Sequence, residues 1–467
     1  MTPADFRPFK DIIAPMRYHL WTAGCQMNVA DSQRVASVLE MMGYQPTSQA
    51  DSADIIVLNT CVVRQSAEDK AHGRLSSLKP LKQRNPDLVI NLMGCMVGIH
   101  GNPELQAAYP YVDVFSPPSD PVPLVNFLLH QEGRAIEAQT TMDRFSLMDG
   151  ELTLPKHELG QLVSAHIPIV YGCSHACTFC VIPFRRGVER SRMVGEIVSE
   201  VRALVDQGVK EVTLLGQIVD RYGMDIPDGP QLIDLLRILN DLQGLDRIRF
   251  LTSHPNWMDD ELLSTVAELP KVCEHIEVPV QAGDDEILMQ MRRGYTSEDY
   301  YRLAERIRRI IPNVSIATDI IVGFPGESEQ QFQRTYDLLA DLKLDVAHLA
   351  RYSPRPQTVS TRRMQDNVSP EEKMHRFRTL EELQARIATE INASYVGNTV
   401  KVLVEGKHND RWKGRTRTNK LVFFESIDNL HAQVLPVKIA WAGPWSMRGS
   451  LVGAPSATDE HLQVRVS

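Results

Sequence analysis

The sequence predicts a multidomain α/β protein in three folded parts: an N-terminal open parallel α/β sheet, a central partial (β/α)6 barrel and a small C-terminal β-barrel. Three observations carry this reading. The chain has 467 residues, more than one hydrophobic core serves. Short aliphatic runs alternate with amphipathic stretches, both before and after residues 134–158. After residue 394 the texture changes, and strand-like segments follow one another with only turns between them.

Residues 16–133 make the first part. RYHLWTA reads as a strand that stops just before Cys25, and Val35, Val38, Leu39 and Met42 mark the buried stripe of the helix after it. DIIVLNT and LVINLMG are continuous apolar runs, the pattern of parallel strands covered on both faces, and they stop at Cys61 and Cys95. A polar helix is predicted from Gln65 to about Leu78. Residues 134–158 lose periodicity and read as a linker.

In residues 159–391, SAHIPIVY, EVTLLGQ, RIRFLTS, HIEVPV, SIATDIIV and DVAHLARYS predict six strands, separated by helical segments such as GEIVSEVRALVDQG. A closed barrel of this kind uses eight, so six predict an incomplete one. Ser369-Pro370-Glu371-Glu372 supplies an N-cap, a first-turn proline and a capping-box glutamate for a long helix ending near Gly397. Within residues 394–456, NTVKVLVEG, GRTRTNKLVFFES and HAQVLPVKIAWA predict strands, and 457–467 is a tail.

A net charge of −9 argues against a whole-protein polyanion binder, although a local basic surface can hide beneath that average. No stretch approaches the ~18 apolar residues of a membrane span, and the N-terminus lacks the apolar run of a secretory signal. A cytoplasmic protein with no membrane partner is expected. Seven cysteines, an odd number in a long chain without an export signal, favour metal or redox chemistry over a disulfide scaffold.

Three of them, Cys173, Cys177 and Cys180, form C-x3-C-x2-C directly after the first barrel strand, at the strand end where such barrels place their function. Iron–sulfur cubes are held by thiolates and usually take four. Three would leave one iron open to chelate a small molecule. Zinc is the rival: His175 lies inside the loop as a fourth donor, but such zinc sites normally draw ligands from two separated arms. Cys25, Cys61 and Cys95 each follow a predicted parallel strand, and in an open sheet those ends share one edge. They are either one shared site or three core thiols, as free cysteine is commonly buried. Cys273 reads as a core thiol. Lys401, Lys407, Arg411, Lys413, Arg415, Arg417 and Lys420, opposed only by Glu405 and Asp410, have Trp412, Phe423 and Phe424 among or beside them. Cations for phosphates and aromatic faces for bases suit RNA, and an ordinary solvated β-surface is the alternative.

YGCSHACTFCVIPFRRGVERSR resembles the radical S-adenosylmethionine signature, and within that superfamily the methylthiotransferases, specifically the tRNA enzymes of the MiaB type. AGCQMN, NTCVVR and GCMVG resemble that family's N-terminal domain, TDIIVGFPGE its fifth-strand cofactor segment, and GRTRTNKLVFFES its TRAM domain; LTSHPNWM, VPVQ, MRRGY and RYSPRP also match. The resemblance implies two [4Fe–4S] clusters, one on Cys173, Cys177 and Cys180 and one on Cys25, Cys61 and Cys95. It implies S-adenosylmethionine as cofactor, with Glu196, Asp319, Gly323 and Gly326 near it. The implied reaction is methylthiolation of C2 of N6-(dimethylallyl)adenosine beside the tRNA anticodon. One S-adenosylmethionine methylates sulfur and another yields a 5′-deoxyadenosyl radical. The implied partners are tRNA, an electron donor of flavodoxin or ferredoxin type and a sulfur source, for a monomeric enzyme. Two other readings stay open: a methylthiotransferase for threonylcarbamoyladenosine or a ribosomal-protein aspartate, and a non-catalytic iron–sulfur RNA-binding protein. Departures from the family pattern at Gly195, Ile218, Glu277, Ala282, Asp284 and Gln357 bear on both.

Overall fold

The computed structural model describes residues 16–63, 65–131, 154–155 and 158–452. Most of the predicted linker and the whole tail lie outside them. The described residues form two compact units, one holding 16–61, 66–131 and 155, the other 62–63, 65, 154 and 158–452. The predicted barrel and C-terminal module thus share a unit.

In the first unit, β1 (Arg17–Ala23), β2 (Gln45–Pro46), β3 (Ile55–Thr60), β4 (Val89–Gly94) and β5 (Val114–Ser116) form one parallel sheet in the order β2-β1-β3-β4-β5. Every residue of β3 and β4 is buried, which is why these segments read as unbroken apolar runs. Edge strands β2 and β5 were not predicted; at two and three residues they carry no period. The helix after β3 runs Gln65–Arg84, past the predicted end at Leu78 and through Pro80. Tyr18, Val35, Leu39, Ile55, Val57 and Val89 form the core between sheet and helix.

The second unit contains β6 (Ser164–Pro168), β7 (Val170–Tyr171), β8 (Arg190–Ser191), β9 (Glu211–Leu215), β10 (Arg247–Leu251), β11 (His275–Glu277), β12 (Ser315–Val322) and β13 (Val346–Arg351). Parallel pairing joins β6-β9-β10 and β11-β12-β13. An Ile248–Val272 bridge and a Ser253 N–H to Glu277 carbonyl bond of 3.0 Å connect the two halves. Six parallel strands therefore run in chain order, as predicted. The predicted strand SAHIPIVY is broken at Ile169, and β7 leaves the barrel to pair antiparallel with β8. Residues such as Ile167, Leu214, Ile248, Ile276 and Ile320 are fully buried in the core, each side chain contributing about 1.5–3 kcal/mol.

The helix Pro370–Ala393 packs on β13. Ser369 caps it by accepting the Glu372 N–H at 3.1 Å. The Glu372 carboxylate accepts from Arg376 at 2.8 Å, so it is spent on an ion pair four residues along the helix. β14 (Thr399–His408), β15 (Arg411–Arg415), β16 (Leu421–Phe424), β17 (Val434–Ala442) and β18 (Met447–Leu451) close a barrel in the order β14-β15-β16-β18-β17. GRTRTNKLVFFES is therefore two strands around a turn, with Asn419 at φ 62°, and β18 is a further strand that the sequence reading lacked.

Candidate active site

The C-x3-C-x2-C loop leaves β7 through Gly172 (φ 67°), where a Cβ would collide with the carbonyl oxygens of Gly187 and Val188. Cys173 N–H donates to Gly187 O at 3.0 Å, which fixes the start of the loop against the segment before β8. Thr178, between the second and third thiols, donates its N–H to Met291 O at 3.2 Å and its hydroxyl to Gln290 O at 2.8 Å. The loop is thereby clamped to the turn after the helix Asp285–Gln290. Cys173 is buried, and Cys177 and Cys180 are half-buried. Burial pushes the Cys173 thiol up to about 11 and the Cys180 thiol up to about 12, with Cys177 beside both adding to the shift.

Two environments face these thiols. Ile182, Ile218 and Trp257 pack with Cys173 and Cys180, so Ile218 replaces a polar family residue with an apolar wall. On the other side Arg293, 5% exposed, donates from Nη1 to Cys177 Sγ at 3.2 Å and from Nε to Tyr295 Oη at 3.0 Å. The His175 N–H reaches Cys173 Sγ at 3.4 Å, while its ring packs edge-on against His254 (4.8 Å) and Trp257 (5.7 Å). Burial, then the Arg293 charge, lowers His254 to about 2, so this imidazole is neutral. Its backbone N–H donates to the buried Asp220 carboxylate at 2.9 Å, and burial pushes Asp220 up to about 7.

In the first unit the three distant cysteines come together. Cys61 lies within hydrogen-bonding reach of both Cys25 and Cys95, and burial adds to their combined effect in holding its thiol far above the ordinary range. Cys25 caps the helix Gln26–Met41, its Sγ donating to Asn28 Oδ1 at 3.4 Å. Asn28 donates to Asn59 Oδ1 (2.9 Å) and Thr60 O (3.1 Å), and Asn59 donates to Asn28 O (2.8 Å) and Ser32 Oγ (2.9 Å). Both asparagines are fully buried, so this closed network ties the ends of β1 and β3 together, and the Cys95 N–H, donated to Thr60 O at 2.9 Å, joins the end of β4 to them. Gly24 stands against Asn28 and the Cys61 side chain, and Gly94 (φ 99°) against Thr60 O, so neither position admits a Cβ. The asparagines were missed in the sequence; their signal was a place three residues after Cys25 and two before Cys61.

A [4Fe–4S] cube takes each thiolate on a different iron, so a group of three thiols would leave one iron without a protein ligand. Arg293 adds a fit of charge. It is a buried cation with no carboxylate ion-paired to it among the described residues, and its sulfur partner supplies compensation once ionised by metal.

The other expected cofactor positions are less distinctive. Glu196, half-buried in the first turn of Val194–Asp206, lies 3.8 Å from Arg192. The stronger partner of Arg192 is Glu200, fully buried, at 2.6 Å. Gly195 has open space where a Cβ would point. Asp319 lies in mid-β12, and burial followed by its charge pushes Glu277, at the end of β11, up to about 7. Gly323 (φ 70°) and Gly326 (φ 85°) are turn residues, with their N–H groups donated to Glu327 Oε2 (2.6 Å) and Asn367 Oδ1 (2.8 Å). Ala282 packs beside Phe324 and Tyr352. Asp284 caps Asp285–Gln290 by accepting the Ile287 N–H at 3.1 Å and pairs with Arg334. Gln357 is exposed at φ 74°, where the family has glycine.

The basic run near the C-terminus is divided. Lys420 is buried against Asp345 (2.7 Å), and Arg417 forks onto Glu274 (2.8 and 2.7 Å). Arg249 donates to Thr416 O and Arg417 O (2.7 Å each), and Arg247 donates to Arg415 O (2.7 Å). This part of the run fastens the small barrel to the N-terminal ends of β9–β13. Trp412 and Phe424 are core residues there, so they do not offer the faces for base stacking that the sequence led us to expect. Lys401 and Lys407 remain on the surface with Lys413 half-buried, and Trp441 and Trp445 are exposed, Arg448 lying over Trp441 at 4.1 Å.

A partial parallel barrel with a three-thiol loop after its first strand defines the class, that of radical S-adenosylmethionine enzymes, and the radical SAM superfamily profile matches residues 167–339. Profiles of uncharacterized protein family UPF0004 and of the TRAM domain match 17–116 and 393–452. The chain belongs to the family of tRNA-2-methylthio-N(6)-dimethylallyladenosine synthases. The synthase of Herpetosiphon aurantiacus is 46% identical over 94% of this chain and 98% of its own length. That of Chloroflexus aurantiacus is 47% identical over 93% and 91%, and that of Moorella thermoacetica 42% over 93% and 98%. Among solved structures, the radical S-adenosylmethionine methyltransferase TsrM from Kitasatospora setae, with cobalamin and a [4Fe–4S] cluster bound, has a TM-score of 0.53 at 14% identity, covering 74% of this chain and 77% of that one. At that identity the likeness concerns the fold alone. The family implies S-adenosylmethionine and a [4Fe–4S] cluster.

Proposed function

We propose that this chain methylthiolates C2 of N6-(dimethylallyl)adenosine beside the tRNA anticodon, using S-adenosylmethionine both to methylate sulfur and to generate the radical. The observation that carries the reading is the pair of three-thiol groups in separate compact units, one at the C-terminal ends of parallel strands β1, β3 and β4, the other in the loop that follows the first barrel strand through β7. Cys173, Cys177 and Cys180 would hold the radical-generating cluster, and Cys25, Cys61 and Cys95 a second [4Fe–4S] cluster that handles sulfur. Once loaded, the first cluster supplies one-electron cleavage of S-adenosylmethionine.

The chain's own residues shape that chemistry. The Thr178 clamp fixes the loop, Ile182 and Ile218 keep water from Cys173, and the Asn28–Asn59 network aligns the other three thiols. Glu196, Asp319, Gly323 and Gly326 are the proposed cofactor neighbours. The proposed parts are 16–133, 159–391 and 394–456, joined by linker 134–158. Transfer RNA would be held partly by Lys401, Lys407, Lys413, Trp441 and Arg448. A flavodoxin- or ferredoxin-type donor and a sulfur source serve a cytoplasmic monomer in this reading; no helix among the described residues is long and apolar enough to cross a membrane.

Nucleoside mass spectrometry of tRNA from a deletion strain tests this. The 2-methylthio-dimethylallyl product should vanish, return with the wild-type gene, and stay absent with Cys25→Ala or Cys173→Ala. Its persistence, with a different methylthio nucleoside lost, contradicts the assignment.

A further inference from the structure

Arg293 is a charge without a conventional counter-charge. Its side chain is buried, and no carboxylate is ion-paired with it among the described residues. Its donors go to Tyr295 Oη (3.0 Å), the Pro279 carbonyl (3.4 Å) and Cys177 Sγ (3.2 Å). Only the sulfur can become an anion under ordinary conditions. A buried guanidinium needs a compensating negative charge, and a metal-bound thiolate provides one.

The placement is rigid. Arg293 sits in the turn Met291–Tyr295, between Arg292 (φ 56°) and Gly294 (φ 74°), at the end of Asp285–Gln290. Thr178 binds the Gln290 and Met291 carbonyls, where the helix ends and that turn begins, so the segment carrying the cation and the segment carrying Cys177 are locked together. Tyr295, held by the Pro279 and Val280 carbonyls, fixes the other edge of the guanidinium. Cys173 and Cys180 instead face the Ile182–Ile218 wall.

We propose that Arg293 is a positioning residue for the thiolate of Cys177 and, through that bond, raises the reduction potential of the cluster on this loop. The inference rests on the reading that Cys173, Cys177 and Cys180 hold a [4Fe–4S] cluster. One-electron reduction adds negative charge to the cluster, and a cation hydrogen-bonded to one of its sulfurs stabilises the reduced state more than the oxidised one. Hydrogen bonds to sulfur, local charge and solvent exposure are established determinants of such potentials. The apolar wall at Cys173 opposes reduction, and Arg221, the cation that acts on Cys173, is paired with Glu189 at 2.8 Å, so Arg293 carries the balance at Cys177.

The test is an EPR-monitored potentiometric titration with dithionite as reductant. It uses full-length protein reconstituted anaerobically in a Cys25→Ala/Cys61→Ala/Cys95→Ala background, where one cluster is expected. Arg293→Met should keep its iron and move the midpoint negative by about 59 mV or more, a tenfold change in the one-electron equilibrium. Arg293→Lys, which keeps charge without the fork, should fall between. Loss of iron from Arg293→Met but not Arg293→Lys also supports a charge-based hold on Cys177. An unmoved midpoint with iron retained, or iron lost from both variants, overturns the inference. No cluster at all in the unsubstituted Arg293 background would instead defeat the ligand reading beneath it.

Discussion

Gln357 holds a left-handed conformation, φ 74°, with an exposed side chain that gains nothing from packing. A non-glycine residue there costs about 1–2 kcal/mol, so Gln357→Gly should stabilise the fold by about 1 kcal/mol, read as a rise in thermal midpoint. An unchanged or lower midpoint would place the side chain in some contact of its own. Asp220 illustrates how burial sets a pH dependence. Its carboxyl is raised to about 7, so the native state holds this proton more tightly than the unfolded chain, whose value is about 3.9. The stability this brings is complete below about pH 4 and disappears as pH rises through 7. His254, lowered to about 2, acts oppositely, losing stability as pH falls from about 6.5. Asp220→Asn should therefore gain on the wild type by about 2 °C or more in midpoint between pH 5 and pH 8. A constant difference across that range would show that Asp220 does not titrate there. Such residues were half legible in the sequence: the cysteines and turn glycines announced themselves by type and spacing, while Arg293, Asn28 and Asn59 matter through partners far away in the chain.

Among the elements, the turn between β15 and β16 changes the meaning of the basic run. Composition counts charges but not where they go. Lys420 and Arg417 point into the parallel barrel, and Arg249 receives the turn through two carbonyls while lying 3.0 Å from Glu211. Arg249→Met removes the donor to those carbonyls and leaves the buried Glu211 carboxylate with only Arg247 at 4.0 Å and the Ser164 hydroxyl at 3.0 Å, and should cost about 3 kcal/mol of stability. Lys407→Ala and Lys413→Ala should leave the thermal midpoint nearly unchanged, yet each should lower the slope of log tRNA affinity against log salt by about 0.7–0.9. A stability loss in the lysine variants, or none in Arg249→Met, would reverse this division. Long apolar strands such as β3, β4 and β12 were legible because burial on both faces leaves an unbroken run. Strands β2, β5 and β18 were not, because Gln45–Pro46, Val114–Ser116 and Met447–Leu451 contain neither an apolar run nor an alternation long enough to mark a strand. The break of SAHIPIVY at Ile169 was equally hidden, since β7 is redirected by its partner β8 and not by its own composition.

For the molecule as a whole, parallel sheets explain why cysteines distant in sequence act as groups. Each of Cys25, Cys61 and Cys95 follows a strand that ends on the same edge, and the structure brings them within reach of one another. The six-strand order of the barrel and the placement of C-x3-C-x2-C after its first strand were likewise readable in advance. What lay beyond reach was the fusion of barrel and C-terminal module into one unit, which depends on arginine hydrogen bonds to backbone carbonyls more than a hundred positions away. The account stands on two independent clusters with three protein ligands each. Anaerobic iron and sulfide analysis with Mössbauer spectroscopy of the wild type, Cys25→Ala and Cys173→Ala addresses it directly. Two [4Fe–4S] clusters in the wild type, with a different one missing from each variant, is the expected result; a single cluster in the wild type, or loss of both from either variant, would contradict it.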